Sequence, residues 1–143
     1  SGLTIMSGYV ADEEKTKKVL RDGKIYSADL GYVDENGLIH LKGRLGDVIN
    51  VGGFKVDPSE VENAASSHES VKDCICIAGT HPVIGTVLKL LVVLKDGKEL
   101  DKKSIAVHIK SRLEPHKVPT YYEAVESIQR TYNGKLDRKY YKK

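Results

Sequence analysis

The chain has no tryptophan, one phenylalanine, one methionine, four prolines and two cysteines in 143 residues. So few large aromatics give no stacking platform for single-stranded nucleic acid, and the eight tyrosines do not form an RNA-recognition motif. The two cysteines, Cys74 and Cys76 in "DCICIA", cannot make a disulfide framework. At i and i+2 of a strand they point to one face, and we read them as small buried hydrophobes in a reducing cytosol, hence a cytoplasmic chain. No Cys or His cluster has ligand spacing, so no metal site is expected. The longest strongly apolar stretch, "VLKLLVVLK" at 87–95, is too short to span a bilayer and is broken by Lys89. "SGLTIMSGYV" lacks a basic region followed by a long apolar one, so no secretory leader is expected. There is no "GxxxxGK[ST]" phosphate loop, internal repeat or low-complexity linker.

What is present suits a small globular protein: 40% hydrophobic and 30% charged residues, enough to bury one core. The net charge of +3 is unevenly placed. Residues 1–46 carry seven positive and seven negative side chains, so residues 47–143 hold the whole excess. The last nine residues, "KLDRKYYKK", set five positive charges against Asp137. Such a tail fits solubility, a phosphate-rich ligand or a nucleic-acid surface.

The pattern changes near residue 46. Before it, "GKIYSADLGYVDENGLIHLKGR" reads as short strands, with "DENG" at 34–37 as a hairpin turn. Residues 1–46 hold too few apolar side chains to make a core alone. After it, "DVINVGGFKV" forms a second hairpin turning at Gly52-Gly53. Asp57, Pro58 and Glu60 then mark a helix start, with Val61, Ala64 and Ala65 on the buried side. "VKDCICIAG" and "VLKLLVVLK" are two strands joined by a Gly/Pro turn. Asp101 caps a second helix carrying Ile105, Ala106, Ile109 and Leu113 at helical spacing and ended by Pro115 and Pro119. "YYEAVESI" is a third strand, and Arg138 to Lys143 a short terminal helix. The expectation is an α+β fold in which helices cover a small antiparallel sheet, with residues 1–46 a β-rich remnant and 47–143 the domain proper.

These motifs stand in a known order. "SADLGYVDENGLIHLKGRLGDVINVGGFKVDPSEVE", residues 27–62, resembles the junction of the adenylate-forming ligases, where members show "TGDLG…DGxxxxxGRxxDxIxxxGxxVxPxEIE". "TYNGKLDRK" resembles their terminal Gly-Lys motif, and "GLTIMSGYVADEEKT" their "GPTVMKGY" segment. That superfamily includes acyl-CoA synthetases, carrier-loading adenylation domains and luciferases. The resemblance covers essentially the whole chain and implies the C-terminal end of a longer enzyme: a mobile lid domain preceded by the last strands of a large AMP-binding domain. The implied reaction joins a carboxylic acid to ATP, with Mg²⁺, as an acyl-adenylate that is passed to CoA. Most contacts to ATP would lie in the enzyme's own N-terminal domain.

The resemblance also assigns residues. Lys135 matches the catalytic lysine, held out by the Asn133-Gly134 turn. Asp29 matches the aspartate that binds the ribose hydroxyls, and Arg44 the arginine that also reaches the ribose. Asp47 matches the hinge, with Gly46 beside it. Gly53 matches the glycine that lets pantetheine pass. Lys55 and Lys110 stand where some relatives contact phosphate and CoA. The chain departs from the pattern in "SAD" for "TGD", in Gln129 for a proline, and in "HPVIGT", one residue shorter than "PDxxxGE". The last departure bears on CoA contacts near that loop, not on Lys135.

Two other readings compete. "NGKLDRK" leans toward an adenylation domain that loads a carrier-protein phosphopantetheine, whereas the longer "VINVGGFKVDPSEVE" leans toward a CoA ligase. A non-catalytic RNA-binding domain rests on the basic tail and the small α+β sheet and lacks the aromatic platform, so no nucleic-acid partner is expected.

Overall fold

In the computed structural model, residues 11–22, 24–25 and 29–142 are described. A short helix opens them, α1 (Glu13–Val19), with acidic residues in its first turn and Lys17 and Lys18 in its last, matching the helix dipole. The strand reading of residues 1–46 omitted this helix. Two-residue strands β1 (Leu20–Arg21) and β2 (Lys24–Ile25) follow. Residues 1–10 and the "SA" of "SAD" lie outside the described residues.

The first expected hairpin pairs β3 (Asp29–Val33) with β4 (Ile39–Arg44) antiparallel. Its turn forms because Asp34 Oδ1 accepts from the amides of Asn36 and Leu38, while Gly37 takes φ +80°. After a 3₁₀ turn at Leu45–Asp47, β5 (Ile49–Val51) and β6 (Phe54–Val56) make the second hairpin. Gly52 and Gly53, at φ +57° and +89°, supply the two left-handed residues that a tight two-residue loop requires.

Helix α2 (Pro58–Ser66) starts as read: Asp57 accepts from the Ser59 amide and Pro58 occupies the first turn. Glu60 points its carboxylate at Lys117, 2.6 Å away. Strands β7 (Val71–His81) and β8 (Gly85–Leu94) pair antiparallel. Helix α3 (Lys102–Lys110) is capped by Asp101 on the Ser104 amide. It stops before either proline, at Ser111, whose hydroxyl bonds back to the His108 carbonyl. Leu113 therefore packs on the core from outside the helix. Strand β9 (Tyr121–Ala124) joins β8 in parallel, so the three-stranded sheet is mixed at this edge. The α3 crossover returns the chain to the starting end of β8, and a strand entered from there must run parallel. The last helix, α4 (Arg138–Tyr141), is capped by Asp137.

Both faces of the sheet are covered, which explains the nearly continuous apolar runs of β7 and β8. On one face Cys74, Cys76, Leu88, Leu90 and Val92 pack with Val56, Val61, Ala65, Ile105 and Ile109. On the other, Ile75 and Leu91 meet Ile128, with Leu136 and Tyr141 of the tail against them. The two cysteines share a face and are free, as the i, i+2 spacing implied. Burial pushes the Cys74 thiol up to about 11 and Cys76 higher still. The β3–β4 hairpin, by contrast, leaves Tyr32, Val33, Leu38 and Ile39 exposed.

Three outcomes follow from this packing. Leu90→Ala, at a fully buried site, should lower unfolding free energy by about 2–5 kcal/mol in urea titration. Ile39→Ala, at 73% exposure, should stay within about 0.5 kcal/mol. Iodoacetamide at pH 8 should leave Cys74 and Cys76 of the native chain unlabelled, and label both once urea exposes them.

Candidate functional site

Lys135 is carried on a small closed turn. Arg130 bridges to Leu136, the Thr131 amide donates to the Lys135 carbonyl at 2.8 Å, and the Gly134 amide donates to the Thr131 carbonyl at 2.9 Å. Gly134 at φ +79° closes the loop. The Thr131 hydroxyl bonds the Asn133 side chain. Arg130 staples the turn to the sheet: one guanidinium nitrogen reaches the Gly134 carbonyl at 3.0 Å, the other Asp73 of β7 at 2.8 Å. At the base, the Asp137 amide donates to the Gln129 carbonyl, and the Gln129 amide to the Tyr141 hydroxyl. A backbone fixed at this many points leaves the exposed Lys135 side chain as the main source of freedom.

The lysine faces an open cleft of about 700 Å³ whose walls include Arg44, Asp47, Glu62, Thr131 and Arg138. Three of the sequence-assigned residues, Lys135, Arg44 and Asp47, thus share one concavity. Asp29 joins them through strand register: Asp29 and Arg44 are cross-strand partners, and Arg44 Nε lies 3.5 Å from Asp29 Oδ1. Both are substantially exposed, so the pair is held weakly and its hydrogen-bonding atoms are open to a polar ligand. A cation, an arginine and a carboxylate around one cleft can hold a phosphorylated sugar: the carboxylate takes hydroxyl hydrogens, and the cations take phosphate charge.

Gly53 and Lys55 do not line this cleft. They sit on the exposed β5–β6 hairpin, where the Gly53 amide is turned toward the Asn50 side chain at 3.1 Å. A Cβ on Gly53 would meet no atom within 4 Å of the chain itself, so its φ, and not internal crowding, requires glycine here. Lys110 stands apart from both groups, exposed at the end of α3.

One charged cluster joins the assigned Asp47 to residues that were not assigned from sequence. Arg138 makes a two-pronged pair with Glu62, at 2.6 and 2.8 Å, and its Nη1 also reaches the Cys76 carbonyl at 3.3 Å. Glu62 in turn accepts from the Cys76 amide at 2.8 Å. Side-chain exposures of 13% and 9% make this a buried pair. Burial alone would pull the Arg138 proton affinity down; the hydrogen bonds and charge of Glu62 outweigh it and raise it, with Asp47 adding to the effect. Arg138 Nε lies 3.4 Å from Asp47 Oδ2. Lys142 Nζ approaches Asp47 Oδ1 at 3.7 Å and the Gly46 carbonyl at 2.9 Å. A signal did exist: Glu62 follows Pro58 by four and precedes Ala65 by three, on the apolar side of α2, where an acid needs a buried partner. Which cation supplies it is not a local property.

Comparison with known proteins identifies the family. Residues 60–135 match the family model described as the AMP-binding enzyme C-terminal domain. Over 96% of its length the chain is 36% identical to a long-chain-fatty-acid–CoA ligase of Bacillus subtilis, covering 25% of that protein. Among solved structures, an amide bond synthetase from Marinactinospora thermotolerans superposes on 96% of the chain at 33% identity and a TM-score of 0.85, over 28% of its own length. The o-succinylbenzoate CoA synthetase of Bacillus subtilis, in complex with its acyl-adenylate intermediate, superposes on 97% at 27% identity and a TM-score of 0.89, again over 28%. The chain spans about a quarter of the length of the curated relatives it matches. A matched core carrying the lysine turn, on the fold of such ligases, establishes that the chain belongs to the family of AMP-binding enzyme C-terminal domains.

Proposed function

We propose that the chain works as the C-terminal part of an acyl-CoA synthetase that activates a carboxylic acid with ATP and transfers it to CoA. The observation that carries this reading is the stapled turn that presents Lys135 to the cleft shared with Arg44 and Asp47. In this reading, residues 47–143 are the mobile lid, and residues 1–46 the closing strands of a large AMP-binding domain. The division is supported by the two core clusters, whose members among the described residues all lie beyond residue 47, and by the exposed apolar side chains of β3–β4, which such a domain would cover. Two buried free thiols suit a reducing compartment, and the cytoplasm is the location we assign.

In the first half-reaction a carboxylate oxygen attacks the α-phosphorus of ATP, forming the acyl–phosphate bond as the bond to pyrophosphate breaks. Negative charge gathers around that phosphorus, and the Lys135 ammonium stabilises it. Asp29 and Arg44 hold the ribose and fix the nucleotide's position. In the second, the sulfur of CoA attacks the acyl carbon and AMP leaves. Rotation at Asp47 withdraws the lysine turn and brings the β5–β6 hairpin to the site, where Gly53 keeps the path of the thiol open and Lys55 faces phosphate. Lys110 contacts CoA more remotely. Among the described residues no cluster of acidic or histidine side chains fits a metal ion, so no residue of this chain is assigned to the magnesium that accompanies ATP.

The test separates the half-reactions in the parent enzyme. Lys135→Ala should slow acyl-adenylate formation by about a hundred- to a thousandfold. It should still convert a supplied acyl-adenylate and CoA to thioester. Gly53→Asn, chosen because asparagine tolerates positive φ, should do the reverse: adenylate accumulates and thioester does not. Equal impairment of both steps by Lys135→Ala, with folding intact, would overturn the assignment. A thioester that forms on carrier phosphopantetheine but not on CoA would move the protein to the carrier-loading branch.

A further inference from the structure

We propose that Arg138 is a positioning residue that couples the hinge turn to the lysine turn, so that the conformation at Asp47 sets the order of the Lys135 backbone. This rests on the roles given above to Lys135 and Asp47. The guanidinium has two separate edges at work. Its Nη1 and Nη2 atoms are committed to Glu62 of α2, and Nη1 also to the Cys76 carbonyl of β7. Its Nε is turned to Asp47, the last residue of the 3₁₀ turn. A lysine ammonium, whose three donors radiate from one nitrogen, cannot span both edges.

The two sides differ in strength. The Glu62 side is short, two-pronged and buried. The Asp47 contact is longer, at 3.4 Å, and its carboxylate is 30% exposed. When backbone torsions at the hinge change, the Asp47 contact breaks and the Glu62 contact stays. Arg138 is therefore a fixed post on the lid, and Asp47 the movable end. Lys142 adds a second, more exposed hold on the same carboxylate and on the Gly46 carbonyl. Both cations belong to the stretch that carries Lys135. Arg138 follows that residue by three, and the intervening Asp137 ties the base of the turn to Gln129 while its side chain caps α4 at the Tyr140 amide. Docking Asp47 thus tightens α4, and α4 anchors one leg of the lysine turn. Undocking loosens both.

The consequence is measurable in the chain itself by amide hydrogen exchange. Asp47→Asn should speed exchange at Thr131 and Asp137 by about two- to fivefold, the scale of one partly exposed charge contact, and leave Leu90 in the sheet unchanged. In an Arg138→Lys background the same Asp47→Asn change should have no further effect on Thr131 and Asp137. A purely structural arginine would instead raise exchange throughout the sheet and leave the effect of Asp47→Asn in place; either result overturns the proposal. Should Arg138→Lys fail to fold, the Arg138 Nε–H signal of the otherwise native chain decides. It should exchange slowly with Asp47 present and faster in Asp47→Asn, and equal rates in the two would refute the link. Lys135→Ala should alter none of these rates, because it removes only the side chain beyond the turn. Failure of the coupling and failure of the lysine assignment are therefore separate results.

Discussion

A buried arginine and a buried glutamate meet where four parts of the chain converge. Glu62 comes from α2, the Cys76 peptide from β7, Asp47 from the 3₁₀ turn, and Arg138 from α4. Burying either charge alone would be costly, and removing one partner of such a pair typically destabilises by about 3–5 kcal/mol. The pair also completes the backbone of an edge strand. Cys76 donates its N–H to Glu62 and offers its carbonyl to Arg138, so two side chains take the place that a neighbouring strand would fill. The C-terminal tail is thereby fixed to the sheet, and the lysine turn with it.

A second staple completes the mounting. Arg130 holds the turn to Asp73, and Arg138 holds the following helix to Glu62, so the turn is anchored on both sides. The arrangement suits a group that must act in a site built by other parts of a protein. Rigid backbone carries a flexible side chain, and in the proposed reading the whole unit is withdrawn by a torsional change at Asp47. The cleft side is rich in hydrogen-bonding and charged groups, whereas the β5–β6 hairpin offers a glycine turn flanked by exposed Asn50, Phe54 and Lys55. In the proposed reading, these two faces of different character serve the two chemical steps.

Sequence patterns gave the elements well where their causes are local. Asp57-Pro58 and Asp101 fix helix starts because a carboxylate two or three residues before an amide is already in reach of it. Gly52-Gly53 fixes a hairpin because only that loop geometry uses two left-handed residues. Alternation placed Cys74 and Cys76 on one face. Less was legible where long-range geometry intervened. The α3 boundary was displaced by a serine hydroxyl competing for a carbonyl, although the prolines were the louder signal. The direction of β9 followed from the crossover that feeds it and not from its own residues.

For the site, the motifs picked out Lys135, Arg44, Asp29 and Asp47 individually, because each sits in a distinctive local string. That Asp29 and Arg44 touch depends on the register of two strands, and that Lys135 shares a cleft with Arg44 depends on the tail folding back across the sheet. Glu62 and Arg138 lie 76 residues apart in the chain. Nothing in either neighbourhood names the other, since the cost of burying a charge says only that a partner must exist. By itself the sequence determined the turns, the caps, the alternation and the residues able to carry charge, all of which rest on interactions within a few residues. Which charges meet, and therefore what holds the lysine turn and the Leu45–Asp47 turn, was decided by the tertiary structure, because only packing brings opposite charges together away from water.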